Sequence, residues 1–166
     1  MKTKKIMSEL TLQNKIELLL EHLKTDRVKR EYEHAISYYN KGKEDPNALL
    51  NVKDQLNSLM FYLAELISKA KALRSEAAAE SEKHSAELFI HYKSEINETT
   101  GRLYSDDMAR YMSRGMSVEH KINEIFAQKA VDESYRIYNY CKDYRDNATQ
   151  RISILKEEVF SSRQLT

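Results

Sequence analysis

Apolar or small residues recur at Leu49, Val52, Leu56, Leu59, Leu63, Leu66, Ala70, Leu73 and Ala77, in steps that alternate three and four without a break. That is the a/d pattern of a helix packing lengthwise on other helices. It predicts one helix from Pro46 to about Asn97, with no breaker inside it. At ~1.5 Å per residue this helix would extend on the order of 75 Å, and a helix that long calls for a coiled coil or an assembly to cover it. Beyond Ala77 the strict heptad positions become Glu80, His84 and His91, and the apolar residues move to Leu88, Phe89, Tyr92 and Ile96. A shift of this kind marks a stutter or a change of packing partner.

The flanking segments read as helices too. From about Thr11 to Tyr39 the apolar face is Ile16, Leu19, Leu20 and Leu23, weakening after Val28 into Tyr32, Ala35, Ile36 and Tyr39. The polar run 40–46 ends this stretch. Gly42 suits a left-handed cap, Asp45 an N-cap and Pro46 the first helical position. After a hinge at Thr99-Thr100-Gly101, Ser105-Asp106-Asp107 can cap a short helix ending near Arg114-Gly115. Ser117 can then cap a last helix from about Val118 to Val159. Its apolar face starts at Val118, Ile122, Ile125 and Phe126 and resumes at Ile137, Cys141, Tyr144, Ala148, Ile152, Leu155 and Val159.

The expected fold is therefore all-α: a long antiparallel helical hairpin with an N-terminal accessory helix, assembling through coiled-coil seams. Residues 1–45 would form the N-terminal helix with a mobile basic arm (Lys2, Lys4, Lys5). Residues 46–160 would form the hairpin, with its elbow at 99–117, and 161–166 a frayed tail. The same leucines can serve a seam within one chain or between chains. As an oligomerisation surface the sequence offers Leu49, Val52, Leu56, Leu59, Leu63, Leu66, Leu73, Tyr140 and Tyr144.

Composition narrows the picture. Three glycines and one proline in 166 residues leave little room for a turn-rich β fold. Eleven Tyr against four Phe and no Trp suggest modest burial completed by partner chains. A net charge of +1 gives no global field to attract nucleic acid, so any such binding needs a local patch. The lone Cys141 excludes an intramolecular disulfide and a Cys-rich zinc site. No apolar run approaches the ~18 residues of a membrane span. The N-terminus lacks the apolar stretch of a signal peptide. The expectation is a cytoplasmic protein with no membrane partner.

Catalytic motifs are missing: there is no phosphate-binding glycine loop, HExxH or nucleophile elbow. His84 and His91 lie seven apart on one helix face and read as polar seam residues. Cys141, beside Tyr140 and Tyr144, reads as a buried inert thiol. No enzyme activity, metal or cofactor is expected. The most function-like stretch is the elbow, where Arg102, Tyr104, Arg110, Tyr111 and Arg114 lie between Gly101 and Gly115. Arginines bind phosphates bidentately, tyrosines offer faces on which single-stranded bases stack, and glycine permits close backbone approach. If those arginines instead pair with Asp106, Asp107 or Glu119, the stretch is simply a capped elbow. A second tyrosine cluster, Tyr135, Tyr138, Tyr140 and Tyr144, reads as an interface within a bundle or between subunits.

One run carries a resemblance. Tyr135-Arg136-Ile137-Tyr138-Asn139-Tyr140-Cys141-Lys142, followed by Asp146-Asn147-Ala148-Thr149 and Gln150-Arg151, sets an aromatic–Cys pair before an acidic–Ala step and a basic residue. With the elbow and its approach from Tyr62 to Tyr92, this is similar to phage recombination mediator proteins of the UvsY type, over about residues 55–155. The resemblance implies a ring-like homo-oligomer that binds single-stranded DNA in a bacterial host cell. It would help load a RecA-type recombinase by displacing single-strand-binding protein. There is one departure. The family carries a basic cluster late in its first long helix, where this chain has Leu88, Phe89 and Ile90. DNA contact would then shift to Arg102, Arg110, Arg114 and Lys121. The rival reading is a non-catalytic helical interaction protein (an adaptor, virion component or host-protein inhibitor) without nucleic-acid binding.

Overall fold

The computed structural model describes residues 11–24 and 26–164. Among these the chain is all-α, with helices α1 (Leu12–Lys24), α2 (Asp26–Lys41), α3 (Pro46–Ser94), α4 (Asp106–Met116) and α5 (Val118–Gln164). A short antiparallel ribbon separates α3 from α4: β1 (Ile96–Asn97) pairs with β2 (Arg102–Leu103), Ile96 opposite Leu103. The basic arm of Lys2, Lys4 and Lys5 and residues 165–166 of the expected tail lie outside the described residues.

The boundaries follow local chemistry, with some differences from expectation. The N-terminal stretch forms two helices rather than one. Leu23 and Val28 are both buried yet five residues apart, a step that on one continuous helix would rotate them about 140° from each other. Asp45 caps α3 as expected, its Oδ1 accepting from the Asn47 amide at 2.9 Å, and Pro46 opens the helix. Gly42 is not left-handed: among the described residues Gly101 alone has positive φ. Gly42 is needed for space instead, since a Cβ there would lie 2.6 Å from the Ala48 Cβ. Ser117 serves backwards, its hydroxyl donating to the Ser113 carbonyl at 2.7 Å at the end of α4, while its own carbonyl accepts from the Lys121 amide. Helix α5 continues past Val159 to Gln164, so Ser161–Gln164 are helical rather than a tail.

The described chain divides into two compact units, to both of which α1, α3 and α5 contribute. The first, a leucine unit, comprises residues 19–68 and 132–164. Leu49, Leu56 and Leu63 have no exposed surface, and Val52, Leu59 and Leu66 are buried beside them. Leu49 packs on Ala148, Ile152 and Leu155, with Tyr39 at the margin. Helices α2 and α5 run side by side in the same direction. Tyr32 meets Tyr140 and Tyr144, Tyr39 meets Tyr144, and Arg151 reaches Glu44 and the Lys43 carbonyl. The heptad residues Leu49 to Leu66 were candidates to join copies of the chain. They are buried within a single copy of the chain: Leu49 lies against α5, and beside Leu63 the Tyr62 ring meets His22 of α1.

The second, an elbow unit, comprises residues 11–18 and 69–131. Its interior combines Leu12, Ile16 and Val131 with many small side chains: Ala70, Ala77, Ser81, Ala109, Ser113, Ser117, Ala127 and Ala130. Small residues allow close helix approach but bury little apolar area each. Leu73, another candidate for the subunit seam, is only half-buried. The stretch expected to open the inner face of the last helix faces outward: Val118, Ile122, Ile125 and Phe126 are exposed. The reason is phase. Ile125 and the buried Cys141 are sixteen residues apart, about 160° around the helix, so one inner face cannot hold both.

Candidate nucleic-acid interface

The elbow is held by short-range polar contacts. The Asn97 Oδ1 accepts from the amides of Thr99 and Thr100 at 2.9 and 3.2 Å, and its carbonyl accepts from the Gly101 amide at 2.8 Å. Closing that turn puts Gly101 at φ +63°, a conformation open to glycine and strained for other residues. Ser105 then caps α4, its hydroxyl accepting from the Met108 amide, with Asp106 and Asp107 favourably placed in the first turn. Lys93 at the end of α3 pairs with Asp106, clamping the two helices. The Lys93 hydrogen bond, with its charge, holds the Asp106 carboxyl below its ordinary range, and Arg110 adds a weaker pull.

Side chains from α3 and α4 meet over this frame. The Arg110 guanidinium lies 5.3 Å from the Phe89 ring centroid, and Tyr104 meets Tyr92 edge-on at 6.3 Å. Beside them Tyr92, Tyr111, Met112, Arg114, Gly115 and Met116 line a groove of about 520 Å³. Tyr111 is 75% exposed, so its ring is available to a planar ligand. Neither Arg102 nor Arg114 has a carboxylate partner among the described residues.

Of the six residues put forward for DNA contact, the fold thus brings Tyr111 and Arg114 into one groove. It joins Tyr104 to that groove through Tyr92 and sets Arg110 over Phe89. Arg102 stands on β2 outside the groove lining, and Lys121 is taken up by Glu124 one turn on. Tyr92, Met112 and Met116 are groove residues that the sequence did not single out for binding. Tyr92 was visible only as part of an apolar stripe, and the two methionines carry no signal of their own.

Other reactive groups are accounted for differently. His84 and His120 touch edge-on, ring centroids 4.2 Å apart, and His91 faces Glu95 at 3.8 Å. Among the described residues no group of three or more His, Cys, Asp or Glu is placed to hold a metal ion. Cys141 is buried, and desolvation pushes its thiol up to about 11. No helix among the described residues is long and apolar enough to cross a membrane. The chain matches no protein-family model, no curated protein and no solved structure.

Proposed function

We propose that the protein is a single-stranded DNA-binding recombination mediator, self-associating and helping to load a RecA-type recombinase against single-strand-binding protein. The observation that carries the DNA-binding part is the elbow groove, where the exposed Tyr111 ring and the unpaired Arg114 guanidinium sit beside Gly115. An aromatic face for a base and a fork of donors for a phosphate are what sequence-tolerant single-strand binding needs. Five basic and five acidic side chains between Ile90 and Lys121 balance, so a single copy would bind weakly. Several copies on one strand would add their contacts through effective concentration. The recombinase and single-strand-binding protein rest on the resemblance of residues 55–155.

Titration of fluorescent oligo(dT) at low and moderate salt tests this reading. Binding should be salt-sensitive. Arg114→Ala should lower the slope against log salt by about 0.7 per contact removed, and Tyr111→Ala should weaken binding by ~1–3 kcal/mol for a lost stacking platform. A folded protein with no affinity for oligo(dT) at low salt would eliminate the proposal. That result would favour a helical interaction protein, a reading supported by the exposed Ile90, Ile96, Leu103 and Met108 around the elbow.

A further inference from the structure

The first turns of α5 are amphipathic in the wrong sense for a lone molecule. Inward they present Ala127 and Ala130, both buried, while Val118, Ile122, Ile125 and Phe126 stand 43–60% exposed. Val118, Ile122, Ile125 and Lys129 follow one another in steps of four, three and four, which places them on one stripe of the helix. Aliphatic side chains left together outside the core are unfavourable in water unless something covers them.

We propose that the cover is the same stripe of a second copy, paired antiparallel about a two-fold axis. In that register Ile122 of each copy lies against Ile125 of the other. The stripe's ends then bring Lys129 of one copy beside Val118 and Glu119 of the other, and Lys121 over the Phe126 ring. The charges are complementary: Glu119 and Lys129 are both exposed, and neither has an opposite charge among the described residues to hold it. A two-fold contact is self-complementary by construction, so one stripe supplies both halves. The exposed apolar area is roughly 350 Å² per copy, about 700 Å² across the pair, which is the size of a weak, transient interface rather than of a permanent dimer. The association is therefore reversible and concentration-dependent. This inference rests on the self-association in the proposed function and names its surface.

Sedimentation velocity without DNA, over roughly a hundredfold range of protein concentration, tests it. Wild type should shift from monomer towards dimer or larger multiples. Ile125→Asp, at an exposed position that leaves the fold intact by circular dichroism, should raise the dissociation constant at least about tenfold. Glu119→Lys and Lys129→Glu should each weaken association, and the two together should restore it. Wild type that stays monomeric throughout would overturn both this surface and the self-association of the proposed function. Wild type that associates but ignores Ile125→Asp, or a double charge swap no stronger than the single ones, would overturn the surface alone.

Discussion

Truncating Leu63 to alanine separates a seam within the chain from a seam between chains. Leu63 lies in the middle of the heptad run and has no exposed surface in a single copy. Losing its buried side chain forfeits about 1.5–3 kcal/mol of transfer free energy. The cavity left among rigid neighbours brings the loss to ~3–5 kcal/mol, because the surrounding leucines relax only in part. For a chain of this length each kcal/mol is worth roughly 2–4 °C, so the thermal midpoint should fall by about 6–20 °C. The decisive property is independence from concentration. Circular dichroism melts at low and high protein concentration should show the same drop, and sedimentation should show unchanged association. Phe61→Ala, which removes a ring 80% exposed two residues away, should move stability by no more than ~0.5 kcal/mol. A Leu63→Ala protein that melts as wild type does, or whose loss appears only with a fall in assembled mass, would refute the intramolecular seam.

Other consequences are equally concrete. Gly42→Ala brings a Cβ to 2.6 Å from the Ala48 Cβ and 3.2 Å from the Tyr38 carbonyl, so urea denaturation should register a loss of ~1–3 kcal/mol, relieved by adding Ala48→Gly. Burial raises the Cys141 thiol to about 11, so the fold favours the protonated form. That contribution is complete below the ordinary thiol value of about 8.5 and is lost as pH rises through 11. Stability measured in urea should therefore decline from about pH 8.5 to 11, more steeply in wild type than in Cys141→Ala. The Asp106 carboxyl is held low by Lys93, so its contribution is present above the ordinary carboxylate value and lost as pH falls through its lowered one. Carboxyl NMR should find it titrating below about 3.9 and returning upwards in Lys93→Met.

The gap between sequence and structure is clearest along α5. Reading Val118, Ile122, Ile125, Phe126, Cys141, Ala148 and Ile152 as one apolar face treats hydrophobicity as a sign of interior. It holds from Cys141 to Leu155, where Ala148, Ile152 and Leu155 meet Leu49, and ends before Val159, which is exposed. It fails before Ala127, because the inward positions there are Ala127 and Ala130, and the larger apolar residues Val118, Ile122, Ile125 and Phe126 drew the stripe to the outward side. The groove is a similar case. Arginines and tyrosines concentrated at the elbow pointed to Tyr111 and Arg114, but only the approach of α3 to α4 added Tyr92, while Lys121 is taken up by Glu124 one turn on along α5.

The sequence by itself determined the helical class, the place of the elbow and the caps at Asp45 and Ser105. Each depends on residues within one or two turns of one another, through backbone geometry and local hydrogen bonds. It also determined that Leu49 to Leu66 form one seam, since a three–four repeat admits no other face. What covers that seam was decided by tertiary structure alone. Leucines bury equally well against helices of their own chain or against a neighbour, and only the folded chain shows them buried in a single copy. For the same reason the sequence listed the isoleucines of α5 without revealing their direction. Their outward placement follows from the phase of a helix whose inner face was already taken by small residues.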